Sequence, residues 1–412
     1  MAKARPAKRA KRAKAVAPGP LVTVDWRAVA RLRQGHVWVY RSDVVGEAGT
    51  EPGALVNVSD EGGNLIGTAF YSSSSQITLR MLSPGPIAPG EELARVLRER
   101  VAAAVSYRRK MVADSNAYRV IFSEADFLPG LIVDRYNDLL SLQVLTQAMD
   151  RTDVRDTITA ALQEQLQPVA MVERVETRIR ELEKLPPREE GLLSGDKTST
   201  EFSMNAVRFR YDALQGQKTG AFLDQRENYA AAARHGHGAA LDVFCYQGGF
   251  ALHLAPKCTP VAAVDSSRPA LEIAEQNEAL NRGRGGAQEI EWIEGNAFDL
   301  LKDYAASGRQ YDTIVLDPPA FARAQRALPT ALRGYKELNL RALKMLRPGG
   351  VLVTCSCSYH VSREDFLEML RAAAADARRS ARVLEVRGQA SDHPILLNVP
   401  ETAYLKCVIL GG

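Results

Sequence analysis

Five cysteines stand in the 412 residues, at 245, 258, 355, 357 and 407, and two of them close one apolar run, VLVTCSCSYHV over 351–361. Such a pair can be packing residues, half of a metal site, a disulfide pair or nucleophiles. A sparse, odd set does not make a disulfide framework. Cys355-Ser356-Cys357 also has no second ligand pair at zinc spacing, so no metal is expected. Upstream, LDPPAF over 316–321 sets Asp317 before two prolines, a rigid corner directly after an apolar strand. A fixed carboxylate and its neighbouring carbonyls suit the amidine-like edge of a planar base, with Phe321 available to stack. Asp265 lies 23 residues beyond Asp242, and an acid about 20 residues past a first strand commonly bonds ribose hydroxyls. Gly248-Gly249 would let backbone approach a ligand without an intervening Cβ. The segment lacks G-x-G-x-x-G and any phosphate-cradling turn, which points to a nucleoside cofactor without a pyrophosphate. Read alone, Asp265 serves equally as a helix cap and the glycines as packing residues.

These residues need a scaffold, and from about 212 the chain alternates strand and helix. GAALDVF, PVAAVD, EIEWIEG, YDTIVLD and GGVLVTCS read as strands, with helices starting at GGFALHLA and RPALEIAEQNEALNR. The pattern predicts a doubly wound α/β sheet of parallel strands, whose ligands collect at the carboxyl ends. Those ends carry Asp242, Phe244, Asp265, Asn296, Asp317 and the two cysteines. Before them, residues 19–90 read as short strands with Gly-rich turns, a small β-barrel or sandwich. Residues 91–211 read as an α+β unit with helices over 91–112 and 151–166, and LPPREEGLLSGDKTST reads as an exposed loop.

Composition agrees with a globular, multidomain chain: 46% hydrophobic residues and a net charge of only +4. Residues 1–14 nevertheless hold seven Lys or Arg and no acid, part of a basic, disordered tail over 1–18 suited to contacting phosphates. No apolar run approaches the ~18 residues of a membrane span, and AVAPGPLVTV is too broken for a signal peptide. A cytoplasmic location with reduced thiols is expected.

In order along the chain, GHVWVY, EADFLPGLIVDRY, KTGAFLDQREN, DVFCYQGGFALHLA, AVDSS, LDPPAF, CSCS and DHP…PETAYLK resemble the bacterial class I S-adenosylmethionine-dependent 23S ribosomal RNA (cytosine-5) methyltransferase I family. The resemblance covers nearly everything after the tail. It implies a PUA-like RNA-binding domain over 19–90, a central domain over 91–211 and a methyltransferase domain over 212–412. It further implies that Lys218, Phe222, Asp224 and Gln225 enclose S-adenosylmethionine. Asp242, Phe244 and Gly248 would flank its methionine part, Asp265 its ribose, and Asn296, Ala297 and Phe298 its adenine, with Ser266 and Asp317 also among the residues that bind it. Asn296 departs from the family's usual Asp, though an amide oxygen still accepts from an adenine amino group. RNA, namely 23S ribosomal RNA, is the implied substrate, and a homodimer is an open expectation.

Carbon 5 of cytosine is a poor nucleophile until a thiolate adds to carbon 6, so the implied reaction requires a cysteine. The family's S-C-S aligns with Ser356-Cys357-Ser358, which assigns Cys357 as nucleophile and Asp317 to the cytosine edge near ring nitrogen 3. Cys355 is read as packing or support. Three competing functions remain: an exocyclic-amine methyltransferase, a guanine ring-nitrogen methyltransferase, and a non-catalytic RNA-binding assembly factor. The first two need no cysteine, so TCSCS discriminates against them.

Overall fold

The computed structural model describes residues 19–47, 49–214, 221–283, 289–322 and 324–412. Lys218 and the basic tail lie outside the described residues.

The described residues build three sheets and a hairpin. The first sheet has six strands in the order Trp38–Tyr40, Ile77–Ser83, Leu65–Tyr71, Leu55–Asp60, Leu21–Val24, Val44–Gly46. Its two outermost strands are separated in sequence only by Arg41–Asp43, and three residues reach about 10 Å. The sheet must therefore curl until its edges nearly meet, the barrel-like arrangement the short strands predict.

The second sheet has five strands and packs against helices Glu91–Met111 and Thr152–Leu166 through Leu97, Val101, Ile121, Leu140 and Leu162. Its edge corrects one expectation. Gly191–Ser194, read as loop from its charged and glycine-rich flanks, pairs antiparallel with Ala170–Glu173. Tertiary pairing overrides weak local propensity there.

The third sheet positions the site. Its order is Ile290–Glu294, Cys258–Asp265, Gly238–Val243, Tyr311–Leu316, Leu346–Ser356, Lys406–Gly411, Arg382–Arg387. The first five are parallel, as the alternation predicts. The last two are antiparallel additions, so the sheet is mixed rather than wholly parallel. Central strands are apolar on both faces because both are covered. Tyr229, Phe250 and Leu252 pack on one face together with Phe202 and Phe209 of the hairpin Ser199–Met204/Val207–Asp212. Leu301, Tyr335, Leu338 and Phe366 pack on the other. Strand order reverses between Gly238–Val243 and Tyr311–Leu316, which opens a cleft at their carboxyl ends.

Candidate active site

The first strand ends in a contorted segment. Phe244, Tyr246 and Gly248 all take positive φ, +66°, +50° and +84°, a conformation that bulky residues adopt only when their surroundings enforce it. The enforcement is visible: Cys245 N donates to Val264 O at 3.0 Å, Gly248 N to Cys245 O at 2.8 Å, and Tyr246 N to Asp265 Oδ2 at 2.9 Å. Phe222, Phe244, Tyr246, Gln247, Gly249 and Asp317 are among the residues lining a cleft of about 370 Å³ here. Phe222 meets Tyr246 edge-on at 5.1 Å. The glycines answer a packing demand: a Cβ on Gly248 would lie 2.6 Å from the Trp292 ring, and one on Gly249 would lie 2.5 Å from the Tyr229 ring.

Carboxyl groups dominate the electrostatics. Asp242 is fully buried. Its Oδ2 accepts from Ala251 N at 2.9 Å, while Oδ1 has no hydrogen-bond partner among the described residues. Burial, with Asp265 adding, lifts its pKa to about 7 against the pull of that backbone bond. Asp317 rises further, to about 8, because burial is reinforced by Asp224 and Asp242 and only partly offset by Gln225. Asp265 differs: each carboxylate oxygen holds a backbone N–H, from Tyr246 and from Ser267 at 2.9 Å. Ser266 between them is exposed. Cationic, donor-rich ligands suit such a cleft. A positive charge relieves the repulsion among these acids, and hydroxyls and amines meet acceptors, which is what the sulfonium, ammonium and ribose of S-adenosylmethionine offer.

The segment before the sheet and the loop near the C-terminus close the cleft from behind. Gln225 Nε2 donates to Asp317 Oδ1 at 3.0 Å, and Asn228 Nδ2 donates to Gln225 Oε1 at 2.7 Å, which fixes the Gln225 amide. Tyr404 donates its hydroxyl to Asp224 Oδ2 at 2.6 Å. Arg226 reaches buried Asp392 at 3.1 Å. Asn228, Arg226, Asp392 and Tyr404 were not singled out from sequence. Their only signal is membership of DQREN, DHP and PETAYLK.

Strand Leu346–Ser356 separates the two cysteines. Cys355 is fully buried directly opposite Cys407, in the apolar core, and burial pushes its thiol far up. The strand stops at Ser356. Cys357 lies just beyond it, partly exposed where the other four cysteines are buried, with its Sγ 4.0 Å from the Pro318 carbonyl oxygen. The proline corner and the cysteine turn therefore converge.

Other candidates fall differently. Asn296 caps helix Ala297–Ala306, its Oδ1 accepting from Phe298 N at 2.9 Å and Asp299 N at 3.4 Å. The oxygen expected to meet an adenine amino group thus already has two donors. Ala297 is buried, and Phe298 stands 6.0 Å from Phe321, which leans on Tyr335 at 4.7 Å. His235 ends a helix and meets Glu385 at 2.7 Å. His393 is buried against Asp392 and the Phe122 ring. Among the described residues no cluster of His, Cys, Asp and Glu could hold a metal ion, and no helix is long and apolar enough to cross a membrane.

Comparison with known proteins matches this architecture. A PUA-like domain model matches residues 22–84, and an S-adenosylmethionine-dependent methyltransferase model matches 168–410. The ribosomal RNA large subunit methyltransferase I of Shewanella denitrificans is 36% identical over 388 residues, 92% of this chain and 96% of that one. Its Yersinia pestis counterpart is 34% identical over 395 residues, 94% and 97% of the two chains. A methyltransferase crystallised with S-adenosylhomocysteine superimposes with a TM-score of 0.80 at 17% identity, covering 95% of this chain and 100% of that one. A Streptococcus mutans S-adenosylmethionine-dependent methyltransferase gives 0.79 over the same shares. The mixed seven-stranded sheet is the class I methyltransferase fold, preceded by a PUA-like domain. The chain belongs to the ribosomal RNA large subunit methyltransferase I family, and its methyl donor is S-adenosylmethionine.

Proposed function

We propose that this protein methylates carbon 5 of a cytosine in RNA, specifically 23S ribosomal RNA, with Cys357 as nucleophile. One observation carries the reading: of five cysteines, only Cys357 is not buried, and it sits at a strand end beside the Asp317-Pro318-Pro319 corner. S-adenosylmethionine supplies an electrophilic methyl carbon. The chain's own residues do the rest. The Cys357 thiolate forms a bond to carbon 6, which makes carbon 5 enamine-like and able to take the methyl group. Loss of the carbon 5 proton to a base then breaks the S–C6 bond and restores the ring. Asp317, held mostly neutral at pH 7 by burial, donates a hydrogen bond to ring nitrogen 3 and makes carbon 6 more electrophilic, while Gln225 holds its other oxygen. Methylation of an amine or a guanine ring nitrogen would leave Cys357 without a task. The PUA-like domain and the basic tail are assigned to RNA, in three domains divided near 90 and 211, and the protein to the cytoplasm. A homodimer finds no support in the comparisons. Nucleoside mass spectrometry of 23S ribosomal RNA from a deletion strain tests the assignment. It should lose one 5-methylcytosine, restored by the wild-type gene but not by Cys357→Ala. An unchanged 5-methylcytosine content, or loss of a methylguanine instead, rejects it.

The cofactor residues make two further predictions. Asp265→Ala removes the acceptor for two ribose hydroxyls and loosens Tyr246 N–H and Ser267 N–H. At roughly 1.5–3 kcal/mol per charged hydrogen bond, the dissociation constant for S-adenosylmethionine should rise at least tenfold by calorimetry. An unchanged constant removes Asp265 from the site. The second concerns pH. A cation bound beside Asp242 favours its ionised form. The raised pKa of Asp242 then falls on binding, and a proton is released. Affinity should therefore climb as pH rises from about 6 to 8. S-adenosylhomocysteine, which lacks the sulfonium charge, should show a shallower climb. Identical slopes for the two ligands would place the sulfonium elsewhere.

A further inference from the structure

The turn that carries Cys357 is clamped by groups the reaction above does not use. Ser358 Oγ lies 2.9 Å from the Tyr335 hydroxyl and accepts from Ala322 N at 3.1 Å. From the other side comes Lys406, the first residue of the antiparallel strand and the direct cross-strand partner of Ser356. Lys406 is buried, 6% exposed. Its Nζ donates to Ser358 O at 2.6 Å and Tyr404 O at 2.8 Å. A buried ammonium is a costly way to tie two neutral carbonyls, since uncharged donors satisfy them without desolvating a charge.

We propose that Lys406 is a positioning residue for the methyl transfer: its ammonium, pinned to the Cys357 turn, pairs with the sulfur as a thiolate. The proposal rests on Cys357 being the nucleophile. A free thiol, with a pKa of ~8.5, is mostly protonated at neutral pH, and the Pro318 carbonyl beside the sulfur accepts from a thiol but repels a thiolate. Two hydrogens of Lys406 go to carbonyls, and the third is what a thiolate can receive. Burial draws the Lys406 ammonium down and Cys357 pushes it back up, and the balance leaves it at about 8. Among the described residues, Tyr335, Tyr404 and Asp317 at this turn supply no such charge. Tyr335 on helix Leu328–Met345 and Tyr404 before the strand are phenols raised mainly by burial. Asp317, beyond the Pro318 carbonyl, is an acid, and His360 in the following turn packs edge-on against Tyr359 at 5.1 Å.

Because the other four cysteines are buried, alkylation of the native full-length protein reads Cys357. Iodoacetamide labelling at Cys357, located by peptide mass spectrometry and followed from pH 5.5 to 10, should show a wild-type inflection at least one unit below ~8.5. Lys406→Met keeps the length of the side chain without the charge. It should move the inflection up and slow labelling at pH 7 about tenfold or more. Lys406→Arg should keep the inflection low. Methyl transfer by Lys406→Met should recover toward wild type as pH is raised, a response that a purely structural role would not give. A wild-type inflection at or above ~8.5 overturns the proposal even if every variant fails to fold. So does a Lys406→Met protein with normal cofactor affinity and an unshifted inflection. A low inflection that depends on Lys406, in a protein forming no RNA adduct through Cys357, would instead reject the nucleophile and leave the charge pair standing.

Discussion

Cys357→Ala should abolish methyl transfer, with cofactor affinity and most RNA affinity intact. The sulfur is needed only as bonds change, so its removal acts on the transition state and not on binding. Cys355→Ala is the matched control. Cys355 is fully buried opposite Cys407, so its loss should cost some packing stability and leave substantial activity. A target RNA carrying 5-fluorocytosine makes the distinction covalent, because carbon 5 then has no proton to lose and elimination stalls after methyl transfer. Wild type and Cys355→Ala should be trapped on such RNA as adducts that survive a denaturing gel, and Cys357→Ala should not. Loss of the adduct only in Cys355→Ala would transfer the role to Cys355. Absence of an adduct in every protein, on an RNA the wild type demonstrably methylates, would end the cytosine-5 mechanism.

The two cysteines also mark where sequence reading stops. Alternation along a strand puts residues 355 and 357 on one face if the strand runs through both, so periodicity could not choose between them. What separates them is the end of the strand at Ser356 and the later strand that brings Cys407 opposite Cys355, a pairing across 52 positions. The five parallel strands were legible because each is an apolar run bounded by polar ends, and the acids at those ends were legible with them. Arg382–Arg387 was not, since half its residues are charged and much of it is exposed. Nor was the use of Asn296 as a helix cap, which depends on where the helix after Gly295 begins. Gly248 was open equally to making room for a ligand and to packing, and its Cβ position is taken by Trp292, 44 residues on. For Cys355, Arg382–Arg387 and Gly248 the deciding partner is distant in sequence, and local pattern contains no trace of it.

The same argument picks out a residue whose loss should be felt mainly in stability. Asp392→Ala should destabilise the fold by about 3–5 kcal/mol, the range for removing one partner of a buried ion pair. Asp392 is fully buried and Arg226 is 4% exposed. They meet at 3.1 Å, and Asp392 Oδ2 also accepts from Arg119 N at 2.8 Å. Burial alone would raise the pKa of this carboxyl, but His393, Arg226 and the Arg119 N–H override it and hold the carboxyl well below the usual range. The sign of the pH effect follows. A group depressed in the folded state stabilises fully above its unfolded value of about 3.9 and loses that contribution as pH falls toward its folded value. Between pH 5 and 3 the urea midpoint of wild type should therefore fall more than that of Asp392→Asn. Because Arg226 follows Gln225 directly, cofactor affinity should weaken along with stability in Asp392→Ala, through the freed Gln225–Asp317 contact. Cys357 alkylation should keep its pH profile, since neither Lys406 nor the Ser358 turn touches Asp392. A midpoint within about 0.5 kcal/mol of wild type would mean that Arg226 finds another partner, with Glu227, already 3.2 Å away, the first to examine.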